Sequence, residues 1–136
     1  MRLGALEAGG TKMVFGIGNE HGEIIDRNSC ATFRPEEAMN VIVDYFQEHQ
    51  IDALGIGSFG PVDLDTNSPT YGSITSTPKP YWSNVPIYSY LKHRLQVPVG
   101  FDTDVNAAAM GELEWGAALG LDSCIYTTIG TGIGSG

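Results

Sequence analysis

Positive charge is scarce in this chain. Seven Lys and Arg stand against 16 Asp and Glu, a formal net charge of −9. Without a basic stripe it cannot track a nucleic-acid backbone, and acidic membrane surfaces repel it, so neither partner is expected. Anionic small substrates stay open, because glycine-loop N–H groups bind phosphate without a cation. Cysteine is scarce as well. Cys30 and Cys124 lie far apart and form no C-x-x-C pair, which argues against a disulfide framework and for two ordinary thiols in a reducing compartment. No apolar run approaches the roughly 20 residues of a membrane span. The start, MRLGALEAGG, lacks a basic region followed by an apolar run, so no signal peptide is expected. The expectation is a cytoplasmic, soluble protein. Charged residues make up only 17% of the chain, whereas glycine is abundant, 18 of 136. The length suits about one domain, and the 42% apolar share suits a folded one. Abundant glycine points to tight turns and to backbone that approaches a ligand closely.

Three runs of strand formers open the chain: Leu3 to Glu7, Lys12 to Ile17 and Glu23 to Thr32. Gly9-Gly10 and Asn19-Glu20-His21-Gly22 separate them, which predicts an antiparallel meander. A helix is predicted from Pro35, with Thr32 or Arg34 just outside it and Glu36 and Glu37 in its first turn. Ala38, Val41, Ile42, Tyr45 and Phe46 form its apolar stripe. Ile51 to Phe59 reads as a buried strand ending in Gly-Pro. Residues 60–85 are rich in Pro, Asn, Ser, Thr and Gly without a period, the mark of a long and functional loop. A short helix over Ile87 to Leu95 turns Ile87, Tyr90, Leu91 and Leu95 inward, and Val97 to Phe101 is a strand. Asp102-Thr103-Asp104 opens a helix that runs to about Leu119 and stops at Gly120. A last strand, Ser123 to Ile129, leads into GTGIGSG, where a second domain is expected to begin. This alternation predicts an α/β layer fold without internal repeats.

Two glycine loops draw attention, Glu7-Ala8-Gly9-Gly10-Thr11-Lys12 and Gly130-Thr131-Gly132-Ile133-Gly134-Ser135-Gly136. Neither has the Walker spacing or the dinucleotide fingerprint. Each has a strand entering a turn with Thr beside glycine, which can aim N–H groups and a hydroxyl at a phosphate; each could equally be a plain hairpin turn. Asp102-Thr103-Asp104-Val105-Asn106 lies at a strand end entering a helix. An Asp there could accept a proton from a substrate hydroxyl, or it could simply cap the helix. His21, His49 and His93 show no metal-ligand spacing, and Trp82 and Trp115 read as packing residues.

The ordered motifs EAGGTK, GIGSFGPVD, YGSITSTPKPYW, TDVNAAAMGE and TIGTGIGSG together resemble the ROK family of bacterial sugar kinases, most of all its fructokinase branch. The resemblance covers nearly the whole chain. It implies an actin-like, ribonuclease-H-like ATPase fold of two α/β lobes with the active site between them. Residues 1–120 would be the N-terminal lobe, with a mixed sheet whose first three strands are antiparallel, flanked by helices. Residues 121–136 would be the first strand and phosphate loop of a second lobe. The implied reaction is ATP-dependent phosphorylation of a hexose, fructose giving fructose 6-phosphate. Asp104 would be the general base, in a pattern usually written Asn-Asp-x-Asn. Gly9, Gly10, Thr11 and Lys12 resemble the first phosphate loop, and Gly130, Thr131, Gly132 and Gly134 the second. Gly60, Pro61, Thr77, Thr103 and Asp104 fall in sugar-lining segments. Mg²⁺ would offset phosphate charge with Glu7 nearby, and Zn²⁺ is implied only in the second lobe. Two departures stand out: Thr103 replaces the usual Asn, and Glu7 replaces an Asp common elsewhere in the family. Partners implied are hexose and ATP, with a homodimer at full length. This stretch alone is expected to be inactive. The alternatives are a kinase for glucose, mannose or N-acetylglucosamine, and a ROK-type sugar-sensing regulator without kinase activity. Against a DNA-binding repressor stand the six residues before Glu7 and the charge of −9.

Overall fold

The computed structural model describes residues 1–130 and 132–136. Strands β1 (Leu3–Ala8), β2 (Lys12–Gly18) and β3 (Ile24–Ala31) form the expected meander. Helix α1 (Pro35–His49) leads to β4 (Ala53–Ser58), and helix α2 (Ile87–Leu95) leads to β5 (Val99–Thr103). Helix α3 (Asp104–Trp115) follows, and β6 (Thr127–Ile129) and β7 (Ile133–Ser135) close the chain. The five-stranded sheet has the order β3-β2-β1-β4-β5, while β6 and β7 pair in a separate hairpin. β1 runs antiparallel to β2 and β2 to β3, whereas β1, β4 and β5 are mutually parallel. The sheet is therefore mixed, as the meander followed by strand–helix units requires.

Alternation explains which face is covered. Leu6 and Ala8 of β1, Met13, Phe15 and Ile17 of β2, and Leu54 and Ile56 of β4 all point to one side and are buried. Helix α1 covers them with Ala38, Met39, Ile42, Val43, Tyr45 and Phe46. The predicted stripe needs one correction. Val41 is 43% exposed. At about 100° per residue it falls on the flank of the arc centred on Ile42, and Met39 and Val43 take the inward positions. Phe15 meets the Tyr45 ring edge-on at 4.9 Å. The Tyr45 hydroxyl donates to Asp26 at 2.6 Å, and burial together with that bond pushes its phenol well above the usual tyrosine range.

Residues 60–85 are irregular yet pinned. Ile74, Trp82 and Val85 are buried, and the Trp82 Nε1–H donates to the Phe33 carbonyl at 2.8 Å. Trp82 is thus a packing residue, as expected; Trp115 lays its ring against the turn at Gly22 but stays 58% exposed. In α2, Ile87 and Leu91 are fully buried, while Tyr90 and Leu95 are half-buried at the edge of the core.

Several predicted boundaries shift: the strand expected over Val97 to Phe101 runs Val99–Thr103, so Asp102 and Thr103 end the strand and the helix begins at Asp104. α3 stops at Trp115 rather than near Leu119, because Gly116 leaves the helical conformation and the Glu112 carboxylate folds back to accept the Ala117 N–H at 2.7 Å. The predicted strand Ser123–Ile129 shortens to Thr127–Ile129. Beside it Tyr126 and Gly136 exchange two backbone bonds of 2.9 Å. Among the described residues no helix is long and apolar enough to cross a membrane.

Candidate active site

The first glycine turn links β1 to β2. Gly9 N–H donates to the Lys12 carbonyl at 3.1 Å, and the Thr32 hydroxyl donates to the Gly9 carbonyl at 2.6 Å. A Cβ at Gly9 would sit 2.5 Å from the Lys12 oxygen, so this position must be glycine for the turn itself. The N–H groups of Gly10 and Thr11 make no hydrogen bond among the described residues. They remain available to an outside acceptor. In the second turn the Gly130 N–H donates to the Gly132 carbonyl at 2.8 Å, and among the described residues the Gly132 N–H has no partner. Both turns join antiparallel strands, and both present N–H groups without a partner among the described residues.

The end of β5 decides between the two aspartates. Thr103 caps α3, its hydroxyl oxygen accepting the Asn106 N–H at 3.2 Å. Asp102 Oδ1 accepts the Thr103 N–H and the Asn106 side-chain amide, both at 2.7 Å. Asp104 Oδ1 accepts only the Val105 N–H, at 3.0 Å. Its Oδ2 makes no hydrogen bond among the described residues. Thr103 therefore does the capping, while Asp102 is taken up by the Thr103 N–H and the Asn106 side chain. Asp104 is left in the first helical turn. Helix α3 also lies unusually close to β4, since a Cβ at Gly57 would come within 2.8 Å of the Ala107 Cβ and 3.4 Å of the Asp104 Cα.

These pieces border one open cleft of about 850 Å³. It brings together Gly10 and Thr11 of the first turn, Gly60, Pro61 and Thr77 of the long loop, Thr103 and Asp104, and Gly130, Gly132 and Gly134 of the second turn. Thr131 lies outside the described residues. Three other predicted site residues are not on the cleft wall. Gly9 is consumed by its turn and Lys12 starts β2, while Glu7 stands on β1 opposite Val14 and Gly57 and borders a separate groove with Leu3 and Ala5. Lys79 lines the cleft and escaped the sequence reading; the only signal for it was a charged residue held between Pro78 and Pro80. Among the described residues no group of three His, Cys, Asp or Glu side chains could hold a metal ion. Cys30 and Cys124 are both free and half-buried, and burial raises the Cys30 thiol above its ordinary value.

Solved structures share this architecture. A ROK family glucokinase from Streptomyces griseus, determined in complex with glucose and AMPPNP, superposes with a TM-score of 0.83 at 31% identity, covering 99% of this chain and 43% of that one. The fold is thus that of the actin-like ATPases, a class of two-lobed α/β proteins. Residues 3–136 match the ROK family model, and the chain belongs to the ROK family. Its curated relatives include the fructokinase of Pediococcus pentosaceus, 48% identical over 136 residues, covering 100% of this chain and 47% of that protein. The fructokinase of Lactococcus lactis subsp. cremoris is 48% identical over 133 residues, covering 98% of this chain and 45% of that protein. The chain therefore spans about half the length of the curated relatives it matches.

Proposed function

We propose that this chain is the catalytic-base lobe of an ATP-dependent hexose kinase whose preferred substrate is fructose and whose product is fructose 6-phosphate. Residues 1–120 form the lobe, and 121–136 begin the second one, consistent with a β6–β7 hairpin outside the main sheet. One observation carries the reading: Asp104, relieved of capping by Thr103, lines the same cleft as two glycine turns with unbonded N–H groups.

Asp104 Oδ2 accepts the proton of the attacking primary hydroxyl as that oxygen bonds to the γ-phosphorus. The bond from the γ-phosphorus to the bridging oxygen breaks, and ADP leaves with the electron pair. Thr103 and Asp102 hold the first turn of α3 so that the carboxylate keeps its place. The N–H groups of Gly10, Thr11 and Gly132 donate to phosphate oxygens. Catalysis of this kind rests on positioning and electrostatics, with little covalent work for the protein. Mg²⁺ offsets phosphate charge when bound. It would arrive with the nucleotide, since this ion is commonly held by phosphates, waters and one or two carboxylates rather than by a protein cage.

The choice of fructose rests on the two fructokinase relatives at 48% identity. A coupled ADP-release assay on the gene product that contains this chain tests it, with fructose, mannose, glucose and N-acetylglucosamine. Fructose is expected to give the highest kcat/KM. Preferred turnover of another hexose would overturn the substrate assignment. Sugar binding without ADP release on any of them would overturn the kinase reading and favour a sensor.

A further inference from the structure

We propose that Lys79 is a sugar-recognising residue of this cleft, its ammonium donating hydrogen bonds to hydroxyl oxygens of the hexose while Asp104 accepts from another. This inference rests on the reading that the cleft takes a hexose. Three observations carry it. First, Lys79 is the one cationic side chain among the described residues that line the cleft, and Asp104 is the one anionic side chain. No carboxylate lies within 4.0 Å of its ammonium among the described residues, so its donors are not spent on an ion pair. Second, its backbone is held. Pro78 and Pro80 flank it, its N–H donates to the Thr77 hydroxyl at 3.2 Å, and its carbonyl accepts the Trp82 N–H at 3.2 Å. Trp82 is fully buried, so the loop is tied to the core at the next turn of chain. A half-buried lysine on so fixed a backbone loses less freedom on binding than one on a mobile loop. Third, the long loop that carries Lys79 is bound to the Gly60-Pro61 segment of the same cleft, since the Thr75 N–H and hydroxyl both donate to the Pro61 carbonyl, at 2.8 and 3.1 Å. The N–H groups suited to phosphates belong to different segments, the two glycine turns. A polyol needs donors and acceptors at once, and this cleft offers one fixed pole of each sign.

The test is the separation of sugar from nucleotide kinetics in Lys79→Met and Lys79→Arg variants of the gene product that contains this chain. Calorimetric titration with fructose alone runs alongside. A charge-assisted hydrogen bond corresponds to about tenfold or more in affinity. Lys79→Met is expected to raise the KM and the Kd for fructose by that factor, with the KM for ATP within twofold and the melting midpoint unchanged. Lys79→Arg, which keeps donors and charge, is expected to recover part of the loss. A raised KM for ATP with the fructose constants unchanged would overturn the proposal and move Lys79 to the phosphate side. Unchanged constants for both substrates would overturn it too, leaving a solvated rim lysine. A parent protein that binds fructose without turnover removes the kinase reading while the titration still judges Lys79. A parent that binds no fructose overturns both.

Discussion

Gly57 fixes how closely α3 can approach the sheet, and through α3 it fixes Asp104. In Gly57→Ala the new methyl would lie 2.8 Å from the Ala107 Cβ and 3.4 Å from the Asp104 Cα. Carbon atoms pack best at about 3.5–4.0 Å. The first turn of α3 must therefore retreat by about 1 Å. Overpacking of this kind costs about 1–3 kcal/mol of stability. Misplacing a catalytic group by about 1 Å can lower kcat by about 10²-fold. The assay pairs a urea unfolding curve with steady-state kinetics on the gene product that contains this chain. Ala107→Gly supplies the control, because removing that Cβ vacates the space the new methyl needs. The double variant Gly57→Ala/Ala107→Gly should regain most of the lost kcat, while keeping the stability deficit of about 1 kcal/mol that glycine causes inside a helix. Parental kcat and stability in Gly57→Ala would refute the reasoning. So would a double variant no more active than Gly57→Ala, since the contact would then not be the cause.

Gly132→Val tests the second turn cleanly. A Cβ there meets nothing within 4 Å, so stability should stay within about 0.5 kcal/mol, while the KM for ATP rises by about tenfold or more as the side chain crowds an unbonded N–H. Unchanged nucleotide kinetics would remove this turn from phosphate binding. Asp63 supplies a pH prediction. Hydrogen bonds from Ser68 and Thr70, then from the Asp65 N–H, hold its carboxyl below the ordinary value. The stabilisation these bonds give the loop is present above the unfolded-state carboxylate value and is lost as pH falls through the lowered folded value. In Ser68→Ala/Thr70→Val the Asp63 titration followed by carbon NMR should move up toward the ordinary range; an unmoved titration would show that those hydroxyls do not hold it.

The architecture was legible because it follows from local pattern. Alternation along β1 and β2, Pro35 with its acidic first turn, and the Asp-Thr-Asp sequence after β5 each mark an element on their own. What sequence could not supply was distance. Gly57 looks like any strand glycine until Ala107 is seen against it, and Lys79 looks like a surface lysine until it is seen lining the cleft. Gly9 and Gly10 are adjacent and identical, yet one is consumed by the turn and the other faces the cleft. The end of α3 was misplaced because Gly120 is the more conspicuous stop. The actual stop depends on the Glu112 side chain reaching back past Gly116, a contact with no periodic signature. The capping question at 102–104 was also beyond pattern. Three good capping residues occur in a row, and only the bonds show that Thr103 caps through the Asn106 N–H, that Asp102 holds the Asn106 side chain, and that Asp104 meets only the Val105 N–H.

The central claim is that Asp104 removes a proton from a sugar hydroxyl in a cleft floored by two glycine turns. The most direct measurement is kcat and sugar affinity for Asp104→Asn beside the parent, in the gene product that contains this chain, with fructose and ATP. The substitution keeps the size of the side chain and the oxygen that accepts the Val105 N–H, so the fold and the sugar Kd should stay within a few-fold. Loss of the general base should lower kcat by about 10²-fold or more. A kcat close to that of the parent would contradict the account and reduce Asp104 to a helix-end residue.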